Sequence, residues 1–145
     1  MKKAFTLIEL LVVIAIIGIL ASMVLVGLNG TRAKARDAER KSDLRQLKAA
    51  LELYYADQKP NAYKESTSLV TASATAMGLD SNYIKTVPSD PVGTKPYQYQ
   101  TDTGGKNYAI FAALENTKDG DIKAGDPSIG SKPTDTAYNY FVEND

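Results

Sequence analysis

The 145-residue chain contains no cysteine, no histidine and no tryptophan. Without cysteine no disulfide can staple a domain, and cysteine usage carries no information about compartment. Thiol catalysis, Ser-His-Asp triads and zinc sites built on His or Cys are excluded as well. Routes through Ser, Thr, Lys or carboxylates stay formally open. No nucleophile stands beside an activating partner, however, so the chain does not read as an enzyme. Net charge is also absent, with 17 Lys plus Arg against 17 Asp plus Glu. The balance is uneven along the chain. Residues 1–59 carry ten basic and six acidic side chains, residues 60–145 seven and eleven. No global basic surface exists for gripping nucleic acid. The split suits a basic flank beside a membrane and a solvated, acidic distal part. The length suffices for one small domain.

What the chain does have is a long apolar run near its start. Met1-Lys2-Lys3-Ala4 leads into Phe5-Thr6-Leu7-Ile8-Glu9, and residues from Leu10 to Leu28 are apolar but for Ser22. From Phe5 to Leu28 a helix would span about 36 Å, enough to cross a hydrocarbon core of about 30 Å. The segment is apolar all round, as expected in lipid or in a filament core. A secretory signal peptide would be shorter and would end in an Ala-x-Ala-like exit. A plain anchor fits the length but leaves Glu9 unexplained. A carboxylate there costs about 2–3 kcal/mol on insertion scales and calls for a partner or a purpose.

Asn29-Gly30-Thr31 marks a weak point, followed by five basic residues within Arg32–Lys41. That stretch reads either as a collar touching anionic headgroups or neighbouring subunits, or as a solvated helix face with pairs such as Asp37 and Lys41. From Leu44 the spacing turns amphipathic. Leu44, Leu47, Leu51, Tyr54 and Gln58 lie at three- and four-residue steps, which predicts a core-facing helix to Asp57, stopping before Pro60. Beyond it a short helix is expected around Leu69 to Met77, and Pro88-Ser89-Asp90-Pro91 and Gly93 mark turns. Tyr97–Thr101, a turn at Asp102–Gly105 and Asn107–Leu114 predict a hairpin, with Tyr138–Val142 as a possible third strand. A striped helix on a small antiparallel sheet is an α+β arrangement.

Lys3-Ala4-Phe5-Thr6-Leu7-Ile8-Glu9 ahead of a long apolar helix resembles the class III signal of type IV pilins and type II secretion pseudopilins. The resemblance implies a leader of residues 1–4, cut between Ala4 and Phe5 by a prepilin peptidase that also methylates the Phe5 amino group. It further implies an assembly helix over 5–28, an amphipathic half over 29–59 and a globular head over 60–145. Most relatives carry Gly where Ala4 stands. In such filaments Glu9 would meet the freed amine of a neighbouring subunit. Two opposite charges in an apolar core are tolerable paired and costly apart, so the pair would set axial register. Lys2 and Lys3 fit the positive-inside rule and orient the head outward. Val87-Pro88-Ser89-Asp90-Pro91 and Pro96-Tyr97-Gln98-Tyr99 are similar to segments of major pseudopilins and small pilins. The proline many pilins carry near the place of Val26 is missing, as is the disulfide-bounded C-terminal loop.

Glu115, Asp119, Asp121 and Asp126, with Gly120 and Gly125 between them, form an acidic constellation. Hard oxygens on a loop suit calcium, and the resemblance implies it, since major pseudopilins bind calcium in a comparable loop. The spacing nevertheless fails the EF-hand pattern, because Lys123 occupies a ligand position. The same residues also read as a solvated acidic turn. The expectation is a single-pass inner-membrane precursor that polymerises with copies of itself into an extracellular or periplasmic filament. By resemblance it is served by the peptidase, a platform protein and an ATPase. A surface type IV pilus subunit is the first reading and the major pseudopilin of a type II secretion system the second. A membrane-tethered binding module using the nine tyrosines is a third.

Overall fold

The computed structural model describes residues 6–130 and 133–144, and its longest element begins at a capping box. Helix α1 runs Leu7–Asp57. The Thr6 N–H and hydroxyl donate to the Glu9 carboxylate at 2.8 and 2.7 Å, and the Glu9 N–H donates back to Thr6 Oγ1 at 3.3 Å. A threonine followed three residues later by glutamate thus satisfies the first orphan donors of the helix. The helix continues through Asn29-Gly30-Thr31, where the sequence marks a weak point. It closes before Pro60, with the Gln58 N–H donating to the carbonyls of Tyr54 and Tyr55.

The chain divides into two units, Met1–Ala35 and Arg36–Asp145. In the first, Leu7–Val24 has a mean hydropathy of 2.8 and none of it is buried. The Ser22 hydroxyl donates to the Ile19 carbonyl at 2.7 Å. The polar interruption of the apolar run is therefore satisfied within the helix itself, as lipid or a dry core requires.

The second unit packs the rest of α1 on a four-stranded antiparallel sheet. Its strands are β1 (Val70–Thr71), β2 (Gln98–Thr101), β3 (Tyr108–Ala112) and β4 (Tyr140–Glu143), in that order across the sheet. The hairpin stands where alternation places it, with Tyr99 opposite Ile110. Its turn is tied by Asp102, whose Oδ1 accepts from the N–H groups of Lys106 and Asn107 at 2.7 and 3.0 Å. The expected helix over Leu69–Met77 is shorter. The β-branched pair Val70–Thr71 joins the sheet edge, where its side chains suit a strand. Only Ala74–Met77 is helical (α2), capped by Ser73, whose Oγ accepts from the Ala76 N–H, and by left-handed Gly78.

Strand β3 is buried at every position, and its alternation serves two cores. Tyr108, Ile110 and Ala112 face Leu44, Leu47 and Leu51 of α1, together with Met77, Tyr97 and Tyr99. Ala109 and Phe111 face the other way, against Tyr138 and Phe141, with Leu69, Ile129 and Ala137 packed on them. The tyrosines bury their rings and spend their hydroxyls locally. Tyr63 and Tyr108 both donate to Glu52 at 3.1 Å, Tyr97 to Asp43 at 2.7 Å and Tyr99 to the Lys64 carbonyl at 2.9 Å. Burial pushes the pKa of these four phenols up. Tyr138 and Tyr140 are buried too. Six of the nine tyrosines therefore face the interior, which removes the ring-stacking surface that a binding module would use.

Two substitutions test this packing by denaturant melts of the detergent-solubilised chain. Leu47→Ala empties a fully buried position on the stripe and is expected to cost about 2–5 kcal/mol. Gly105→Ala places a Cβ 2.3 Å from the Tyr63 carbonyl oxygen at a φ of +61°. It is expected to destabilise by more than about 2 kcal/mol, since the left-handed conformation alone costs about 1–2 kcal/mol.

Candidate functional site

The residues expected to act in processing and assembly sit at the start of the chain. Ala4 and Phe5 lie outside the described residues. Glu9 is exposed, on the first turn of α1, with its carboxylate held by Thr6. Around and beyond it Leu7, Ile8, Leu10, Leu11, Ile14 and Ile17 are each more than half exposed. A continuous apolar surface of this kind is incompatible with water and demands lipid or other apolar helices. Glu9 is the one acid set into it.

A second constellation, in the head unit, was not singled out from the sequence. Arg40 is only 3% exposed, yet its guanidinium is engaged through Nε and Nη1. Nε donates to Asp90 at 2.6 Å, and Nη1 donates to Asp37 and Glu115, each at 2.8 Å. Arg36 adds a two-pronged contact to Glu115, at 2.7 and 2.5 Å. The remaining acid oxygens are met by backbone. Asp37 accepts from the N–H groups of Glu115 and Asn116 at 2.9 and 2.8 Å, and Asp90 from those of Val92 and Gly93 at 3.0 and 2.9 Å. Three acids from three segments thus converge on one arginine of α1. The planar fork of arginine suits such multiple recognition, and a lysine would not replace it.

Electrostatics follow the geometry. Burial alone would lower the Arg40 pKa, but the hydrogen bonds to Asp90, Glu115 and Asp37 outweigh it and hold the guanidinium charged. The Arg36 hydrogen bond, with help from Arg40, brings Glu115 down to about 2. Burial raises Asp90, and the Arg40 bond with the two backbone N–H groups overrides it, leaving its pKa lowered.

The basic stretch after the apolar run is therefore divided in its roles. Arg32 and Lys34 are exposed, as either reading of the stretch expects. Arg36, Arg40 and Lys41 are instead used inside the head unit, and Asp37 pairs with Arg40 rather than with Lys41. A signal for this was available. The positions 37, 40, 44, 47 and 51 continue the buried three- and four-residue phase backwards, so two charged residues stand where the stripe requires burial. The sequence marks the proline-flanked Asp90 as part of a turn and of a pseudopilin-like segment, and gives it no ionic role.

The four acids of the expected calcium loop are not gathered into one cage. Glu115 faces the two arginines. Asp119 and Asp121 share the Lys41 ammonium, at 2.5 and 2.6 Å. Among the described residues no group of three or more carboxylates converges in a way that could hold a metal ion.

The ion cluster sets an acid limit. A carboxylate whose folded pKa is depressed contributes stability above its unfolded pKa and loses it as pH falls through the folded one. Glu115 and Asp90 should therefore make the head progressively less stable from about pH 4.5 down to about 2. The pH dependence of the denaturation midpoint measures this, and Glu115→Gln should flatten it. Arg40→Met leaves buried acids without their cation and is expected to cost about 3–5 kcal/mol at neutral pH.

Comparison with known proteins bears on both regions. Residues 1–25 match the prokaryotic N-terminal methylation motif, and residues 28–129 match the family described as type II secretion system (T2SS), protein G. The type II secretion system core protein G of Aeromonas hydrophila is 39% identical over 103 residues, covering 67% of this chain and 71% of that protein. That of Escherichia coli (strain K12) is 40% identical over 99 residues, covering 63% and 68%. The Klebsiella michiganensis protein is 35% identical over 136 residues, covering 90% and 92%. No solved structure gives a significant match. With the methylation motif on the apolar segment and the second match over most of the remainder, this chain belongs to the type II secretion system protein G family.

Proposed function

We propose that this chain is the major pseudopilin of a type II secretion system, polymerising with copies of itself into a periplasmic pseudopilus. The observation that carries this is the protein G match over residues 28–129 directly after the methylation motif over 1–25. Family membership moves the choice from a surface pilus subunit, the first expectation, to the second. The apolar span Leu7–Val24, none of which is buried, supplies the membrane anchor before assembly and the filament core after it. The chain performs no chemistry. Cleavage between Ala4 and Phe5 and methylation of Phe5 fall to a prepilin peptidase, and extension to a platform protein and an ATPase. Lys2 and Lys3 hold the precursor with its head outward.

In this reading Glu9 is the register residue. Its carboxylate already accepts two hydrogen bonds from Thr6, but its full negative charge lacks a counter-charge among the described residues, which an apolar packing would call for. The amine released at Phe5 of a neighbouring subunit supplies one. A subunit slipped along the axis would leave both charges unpaired.

Mass spectrometry of assembled material is expected to show an N-terminus at methylated Phe5; an intact Met1 there would overturn the processing step. A strain lacking the gene should lose extracellular enzyme secretion and keep its surface filaments. The opposite pattern would restore the pilus reading. Glu9→Ala should insert into the membrane yet fail to restore secretion, and full rescue by that variant would remove its register role.

A further inference from the structure

The loop that follows β3 is held to α1 in two places. At its start, Arg36, Asp37 and Arg40 take the Glu115 carboxylate and the backbone N–H groups of Glu115 and Asn116. Four to six residues on, the Lys41 ammonium lies between Asp119 Oδ1 and Asp121 Oδ2, at 2.5 and 2.6 Å. The neck of the loop is closed by Asn139, whose Oδ1 accepts from the Leu114 N–H at 2.8 Å and whose amide donates back to the Leu114 carbonyl at 3.1 Å. Within the loop, Asp119 Oδ1 also accepts from the Asp121 N–H at 3.0 Å, and the Asp119 carbonyl accepts from the Ile122 N–H at 3.2 Å. The Lys41 side chain is 14% exposed, and its ammonium stands 5.9 Å from the Tyr140 ring centre.

These donors do not suit the calcium that the family resemblance implies. A calcium ion takes six to eight oxygens at about 2.3–2.6 Å. Glu115 is already committed to two guanidinium groups, and Asp119 and Asp121 converge on an ammonium. A divalent ion among the same oxygens would sit within a few ångströms of that positive charge. Lysine, by contrast, is a compact point charge with three donors on a flexible stem, which suits bridging two carboxylates from one helix position.

We propose that the Lys41 ammonium is the resident cation of this loop, pinning Asp119 and Asp121 to each other and to α1, and that the pair takes a calcium ion only when that ammonium is removed. The head of this chain is then built to hold its loop without a metal. This stands on the loop's own geometry and does not depend on the filament's task.

The test uses the full chain in detergent micelles, with calcium chloride as the probe. Calorimetric titration of the unaltered chain is expected to show no stoichiometric binding up to millimolar calcium, and its melting temperature should be the same in calcium and in chelator. Stoichiometric binding by the unaltered chain overturns the proposal on its own. Lys41→Met should melt lower in chelator and recover several degrees on adding calcium, since a ligand that binds only the folded state stabilises it. The added change Asp121→Asn should abolish that recovery. A folded Lys41→Met chain indifferent to calcium overturns the exchange. Where that variant does not fold, Lys41→Arg keeps the charge and should remain calcium-indifferent; a calcium-dependent rise in its melting temperature counts against the proposal.

Discussion

The head of this protein is organised around one buried positive charge. Arg40 sits at 3% exposure with acids from α1, from the Pro88–Pro91 turn and from the segment after β3 all reaching its guanidinium. A charge removed from water is tolerated only when its partners are close and their remaining lone pairs are satisfied. Each acid meets that condition differently. Asp37 and Asp90 lean on backbone N–H groups, and Glu115 on a second arginine. Because the three acids come from segments far apart in sequence, the cluster closes only when all of them are in place. It thus couples the Pro88–Pro91 turn and the acidic loop to a single turn of α1.

Everything on the other side of that turn obeys a different solvent. None of Leu7–Val24 is buried in the single chain, and one of its two polar residues, Ser22, satisfies itself against the Ile19 carbonyl. Glu9 does the same against Thr6 as far as hydrogen bonds go, while its charge remains uncompensated within the described residues. The apolar half is therefore complete as a helix and incomplete as a packed object. That combination is what a subunit needs when its final surroundings are other copies of itself. Membership of the protein G family agrees with such a life. The charged cluster of the head, by contrast, is closed within one chain and needs no neighbour.

Much of this was legible beforehand, for physical reasons that differ from element to element. The apolar run and the stripe at Leu44, Leu47 and Leu51 are local signals, since helical period and burial go together. The hairpin followed from alternation and an Asp-Thr-Gly-Gly turn. Strand β1 was missed because two residues carry no periodicity; it exists only because β2 offers it an edge. The two-sided burial of β3 was hidden as well. Its second core is made by residues near 129 and 137–141, whose arrival on that face no local pattern announces.

The charged residues divide in the same way. Sequence alone determined that a cleavage-like motif, an apolar helix and a lone Glu9 stand together, because covalent order and hydropathy suffice to state them. It could not decide what Arg36, Arg40 and Lys41 do. A basic residue beside a membrane-length helix and one that clamps a distal loop look alike until the loop is placed. Only the tertiary structure brought Asp90, Glu115, Asp119 and Asp121 to the same two turns of α1. That meeting sets these acids against arginine and lysine, because the nearest opposite charge wins in a partly dry site.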